Sequence, residues 1–148
     1  MTEWKNSIFI NPEKIAVPVM TYPGLQLIGK SVVDMVTIGE VQYNCVKALS
    51  EKYPAVGAIT LIMDLSVEAE AFGSPVNFSE NEIPTVSKRL IDSFEQVVNL
   101  KIPVIGDERT KSHLNAARLA VENITNRPVF GGITVSYTHL TLPTTERV

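Results

Sequence analysis

The sequence holds a single cysteine, Cys45, so no disulfide can form within the chain and a disulfide-stapled secreted scaffold is excluded. Long apolar runs are also missing. No stretch approaches the roughly 18 residues that a membrane-spanning helix needs. Positive charge is scarce: 13 Lys and Arg stand against 16 Asp and Glu, a net charge of −3, which gives nucleic-acid binding no electrostatic support. Residues 1–6 carry neither the basic flank nor the apolar stretch of a signal peptide. These absences together lead us to expect a reducing, cytoplasmic setting, without membrane or nucleic-acid partners. What remains is ordinary globular usage, 45% hydrophobic and 20% charged over 148 residues, enough for one domain. No internal repeat, low-complexity segment or interdomain linker interrupts it.

Three short apolar runs read as strands. Residues 15–20 are bounded by Tyr22-Pro23-Gly24, residues 56–63 are apolar on both faces, and residues 128–134 carry Gly131-Gly132. Between them lie helical patterns. Ser31 to Met35 suits a short turn. Ile38, Val41, Cys45, Val46 and Leu49 recur at helical spacing until Pro54 ends the run. Ser66 is placed to cap a short helix ending at Gly73, and residues 75–78 suit a small strand. Residues 87–99 are weakly helical, residues 104–107 suit a short strand or loop, and residues 108–124 place Leu114, Ala117, Val121 and Ile124 on one face. Strands alternating with helices predict parallel βαβ units. A complete (β/α)8 barrel needs about 250 residues, so the expected fold is α/β, the N-terminal portion of a truncated TIM barrel.

One residue stands out for chemistry. Asp64 directly follows the second strand, at the end from which a β/α barrel presents its catalytic groups. There it could stabilise a cation or accept hydrogen bonds from N–H groups; the plainer reading is a helix cap. Met63 reads as core, and Gly131-Gly132 as close packing. Cys45 sits on an apolar helix face as a small buried hydrophobe. His113, between Lys111 and Arg118, reads as solvated. No zinc-ligand spacing, phosphate-binding glycine loop or Ser/His/Asp arrangement is present. After Thr134 the Thr-rich run Val135-Ser136-Tyr137-Thr138-His139-Leu140-Thr141 has no helix-forming pattern, so residues 1–134 are expected to be the partial barrel domain and residues 135–148 a non-native tail from truncation or adapter read-through. His139 therefore carries no weight.

The run Ile62-Met63-Asp64-Leu65-Ser66-Val67-Glu68-Ala69-Glu70-Ala71-Phe72-Gly73 resembles the acidic strand-end segment of the uroporphyrinogen decarboxylase superfamily. Four more stretches agree in order: Val17-Pro18-Val19-Met20 with Gly24, Asn77 to Pro84, Lys101-Ile102-Pro103-Val104, and Arg127 to Thr134. The resemblance covers roughly residues 13–134 and implies a barrel enzyme, either a decarboxylase (lyase) of porphyrin biosynthesis or a corrinoid-dependent methyltransferase. In the decarboxylases the aspartate matching Asp64 contacts pyrrole N–H groups, so the resemblance gives Asp64 that role. Those enzymes also grip substrate carboxylates with an Arg-Gln-Ala-Gly-Arg-Tyr motif. Here Met20-Thr21-Tyr22-Pro23-Gly24-Leu25-Gln26 stands in its place, without arginine. A polyanionic porphyrinogen would lose its bidentate partners, which favours the methyltransferase-like branch. That branch implies a corrinoid protein as partner, or a tetrapyrrole as substrate, and a zinc ion held by a His-x-Cys and a later Cys that lie beyond this fragment. The fragment alone is expected to be inactive. A third reading is a non-catalytic tetrapyrrole-binding module. If Asp64 lines the barrel mouth, an Asp64→Asn exchange should cost turnover with little change in stability.

Overall fold

A computed structural model describes residues 2–62 and 64–132. In chain order the elements are α1 (Thr2–Ile10), α2 (Gly24–Ile28), α3 (Val32–Thr37), α4 (Gly39–Lys52), β1 (Ile59–Thr60), α5 (Val67–Ala71), β2 (Val76–Asn77), β3 (Thr85–Val86), α6 (Phe94–Val98), α7 (Thr110–Asn123) and β4 (Val129–Phe130). The two long helices, α4 and α7, are those with the clearest apolar spacing. Helix α4 buries Val41, Cys45, Val46 and Leu49 and stops at Tyr53, just before Pro54. Each such side chain contributes about 1.5–3 kcal/mol by leaving water. Helix α3 opens with a reciprocal cap. The Ser31 hydroxyl accepts from the Asp34 amide at 3.1 Å, and the Asp34 carboxylate accepts from the Ser31 amide at 3.2 Å.

Strands β1 and β4 pair in parallel, Ile59 opposite Val129 and Thr60 opposite Phe130. The Ile59 amide donates to the Pro128 carbonyl at 2.8 Å, and the Leu61 amide to the Phe130 carbonyl at 2.9 Å. Helices α4 and α7 pack along each other and cover this pair, so that Tyr43, Val46, Ile59, Leu61, Ala120 and Ile124 form one core cluster. A second cluster joins Leu25, Met35, Val36, Val41, Cys45 and Ile62. This is the α/β arrangement with parallel pairing that the alternating pattern predicts. Among the described residues no barrel is closed.

The expected first strand needs correction. Residues 15–20 make no strand ladder. The Gly57 amide donates to the Ala16 carbonyl at 3.0 Å, but Pro18 has no N–H to continue a ladder, and at β1 itself the segment is held through a side chain. The Thr60 hydroxyl donates to the Pro18 carbonyl at 3.0 Å and accepts from the Met20 amide at 3.2 Å. The Thr21 hydroxyl adds a bond to the Thr60 carbonyl at 3.0 Å.

Between α5 and α7 the chain makes an excursion. There β2 and β3 form an antiparallel hairpin, Val76 opposite Val86, and α6 follows. The expected strand at residues 75–78 is β2, residues 87–99 are helical only over α6, and residues 104–107 form a loop. Helix α1 is pinned to the sheet by Trp4, whose indole N–H donates to the Gly57 carbonyl at 3.2 Å and whose ring meets Phe130 edge-on at 5.4 Å. Met63, the end of the expected strand at 128–134 and the boundary expected at 134 lie outside the described residues.

Candidate active site

Strand β1 carries the chain to Asp64, whose side chain is 0% exposed. Its two oxygens do different work. Oδ1 accepts from the Ser66 amide at 2.9 Å and from the Ser66 hydroxyl at 2.7 Å, a turn built by a short acidic side chain onto the backbone two residues on. Oδ2 accepts from Arg109 Nη1 at 2.5 Å. The expected cap on α5 is thereby corrected: Ser66 occupies the cap position without a capping bond, and it is Asp64 that anchors the start of the helix. One carboxylate thus both anchors the turn into α5 and pairs with Arg109.

Arg109, at the start of α7, is 7% exposed and spends each nitrogen on its own partner. Nε donates to Glu70 at 2.5 Å, Nη1 to Asp64, and Nη2 to the Ser66 hydroxyl at 2.8 Å. The Phe78 ring lies under the guanidinium at 4.9 Å. Around this cluster three buried polar atoms have no hydrogen-bond partner among the described residues: Tyr22 Oη, Glu68 Oε2 and His113 Nε2. Burial, then the Asp64 charge, push the Tyr22 phenol up to about 12 against the opposing effect of Arg109, so it stays protonated. Burial pulls the His113 imidazole below its ordinary value; Asp64 and Glu68 oppose this and Arg109 assists it. His113 is thus a half-buried neutral ring, not the solvated side chain its basic neighbours suggested. Burial also pushes the Asp64 carboxyl up, but the hydrogen bonds from Ser66 and Arg109, with the Arg109 charge, outweigh it and hold the group below the usual carboxylate range.

Beside the cluster opens a cavity of about 370 Å³ at the ends of β1 and β4. Val67, Phe72, Val104 and Ile105 give it apolar walls, and Asp64, Glu68 and His113 supply polar groups; among the described residues no Lys or Arg lines it. Gly132 reaches the rim, and a Cβ at Gly131 would meet no atom of the described residues within 4 Å, so Gly131 is not tightly packed there. Cys45 is fully buried away from the cavity among apolar neighbours, as expected.

Residues 24–142 match the family described as uroporphyrinogen decarboxylase (URO-D). The chain belongs to the uroporphyrinogen decarboxylase family. No curated protein matches it. Among solved structures, a methyltransferase from Methanosarcina mazei shares its fold, with a TM-score of 0.68 and 20% identity over 84% of this chain. The chain spans 36% of that methyltransferase. The family read from the order of the sequence motifs is therefore the family found. Within this URO-D-family chain no helix is long and apolar enough to cross a membrane, among the described residues. Nor do those residues gather three or more His, Cys, Asp or Glu side chains that could hold a metal ion.

Proposed function

We propose that the chain is the N-terminal portion of a (β/α)8 barrel enzyme of the URO-D family, in its methyltransferase-like branch, serving a methylated corrinoid carrier protein. The observation that carries this reading is the charge of the cavity. Two carboxylates, Asp64 and Glu68, line it, Asp64 shares one guanidinium with Glu70, and among the described residues no Lys or Arg lines the space. A polyanionic porphyrinogen would meet net repulsion there, with its usual arginine partners missing from residues 20–26 as well. Apolar walls and a net negative floor suit a macrocycle that brings its own positive charge. Asp64, held anionic, supplies a fixed negative charge next to any cation formed during transfer. The M. mazei methyltransferase supports the fold of this reading.

The test uses the full-length protein with methylcobalamin and a small thiol, followed by the change in corrinoid absorbance. Thiol-dependent demethylation is the expected result. Conversion of uroporphyrinogen to coproporphyrinogen without demethylation would overturn the proposal in favour of decarboxylation, and tight corrinoid binding without turnover would favour a binding module.

A further inference from the structure

Arg109 is absent from every sequence motif considered above, yet it has more partners than any other side chain at the site. Its guanidinium is used completely, on Asp64, Glu70, Ser66 and the face of Phe78. A lysine could not reproduce this, because a point charge cannot hold three acceptors in a planar fork. The backbone leading to it is unusual too. Glu108 has φ of 47°, in the left-handed region that a residue with a Cβ seldom adopts. The loop around it is fixed by Asp107, whose carboxylate accepts from the Val104 amide at 2.9 Å and whose carbonyl accepts from the Thr110 amide at 3.1 Å. That turn swings Arg109 inward. A left-handed, exposed residue thus stands directly before the buried arginine.

We propose that Arg109 is a positioning residue that keeps Asp64 ionised and fixed at the edge of the cavity, the two side chains acting as one unit. The proposal rests on the catalytic reading of Asp64. The groups facing Asp64 are Tyr22 from the loop before α2, Ser66 at the start of α5, and Arg109 and His113 from α7; Glu68 and Glu70 of α5 act on His113 and Arg109 in turn. Of these, Arg109 is the cation paired with Asp64. Without it burial acts on the carboxyl with only Ser66 in opposition, and Asp64 would take up a proton at higher pH.

The experiment follows the Asp64 carboxyl by ¹³C NMR in the full-length protein, the resonance being the one lost in Asp64→Asn. The Arg109→Met and Arg109→Lys variants are titrated beside the parent. In Arg109→Met the Asp64 midpoint should rise by about one pH unit or more, a tenfold change in its proton affinity, with a smaller rise in Arg109→Lys. The acid limb of thiol-dependent demethylation should rise with it, and the same shift in an Arg109→Lys/His113→Gln double variant assigns that limb to Asp64. Should Arg109→Met fail to fold, Arg109→Lys carries the comparison. An unmoved Asp64 midpoint with only thermal stability lost would overturn the proposal and leave Arg109 as a tie for the excursion. Full turnover in Asp64→Asn would instead overturn the catalytic reading, while the titration still decides whether Arg109 sets the charge of Asp64.

Discussion

Replacing Asp64 by Asn is the perturbation whose expected outcome the structure changes most. From position alone the exchange should be silent for stability, because Asn caps a turn as well as Asp. The geometry argues otherwise. Asn keeps an oxygen for the Ser66 amide and hydroxyl, but it turns an NH2 group toward Arg109 Nη1, donor against donor. Breaking a buried ion pair by removing one partner costs about 3–5 kcal/mol. Glu70 still holds Arg109, so the low end applies, about 3 kcal/mol. For a urea slope of about 2 kcal/mol/M, the unfolding midpoint of the full-length protein should fall by roughly 1.5 M. A pH series adds a second check. The folded-state value of Asp64 lies below the unfolded value of about 3.9, so its contribution is fully present above that pH and is lost as pH falls through the folded value. The gap between parent and variant should therefore close in acid. A midpoint within about 0.2 M of the parent at neutral pH would refute the reasoning, because it would mean that the pair contributes almost nothing net.

Two further outcomes can be checked. Gln42 is 1% exposed, with both amide atoms unpartnered among the described residues, so Gln42→Leu should stabilise the protein by about 2 kcal/mol in urea unfolding, and a loss of stability would show that the amide has a partner. Cys45 is fully buried and its thiol is pushed up to about 11 by desolvation, so a maleimide should label it only after unfolding; rapid labelling of the folded protein at pH 7 would contradict that burial.

Much of the scaffold was legible because it rests on local pattern. The spacing of Val41, Cys45, Val46 and Leu49 specifies a helix face wherever the chain goes, and Pro54 ends it. The apolar run before Asp64 and the run around Val129 are strands for the same reason, and their parallel pairing follows from the helices between them. Pro18 was the visible warning that residues 15–20 would not join a ladder. The site was legible only at Asp64. Arg109 sits in no periodic pattern and its partners are Asp64, Ser66 and Glu70, far away in the chain, so its meaning arises only when the excursion folds back. His113 was misjudged because neighbours in sequence, Lys111 and Arg118, are not its neighbours in space: Arg118 turns outward to Glu122 and Asn115. Strand β3 has just two residues, Thr85 and Val86, both exposed, too few to show an alternating pattern.

The pairing of Ile59 with Val129 also orders events during synthesis. When β1 leaves the ribosome its partner strand has not yet been made, and the segment that precedes it lends a carbonyl and an amide to the Thr60 hydroxyl rather than a ladder. The helices α2, α3 and α4 can gather around Met35 and Val36 at once, since their contacts are near in sequence. The sheet must wait for the whole excursion and α7 to emerge. A nascent chain shorter than about Val129 thus holds β1 as an unmatched apolar strand, exposed to chaperones and to other chains for as long as translation of that stretch takes.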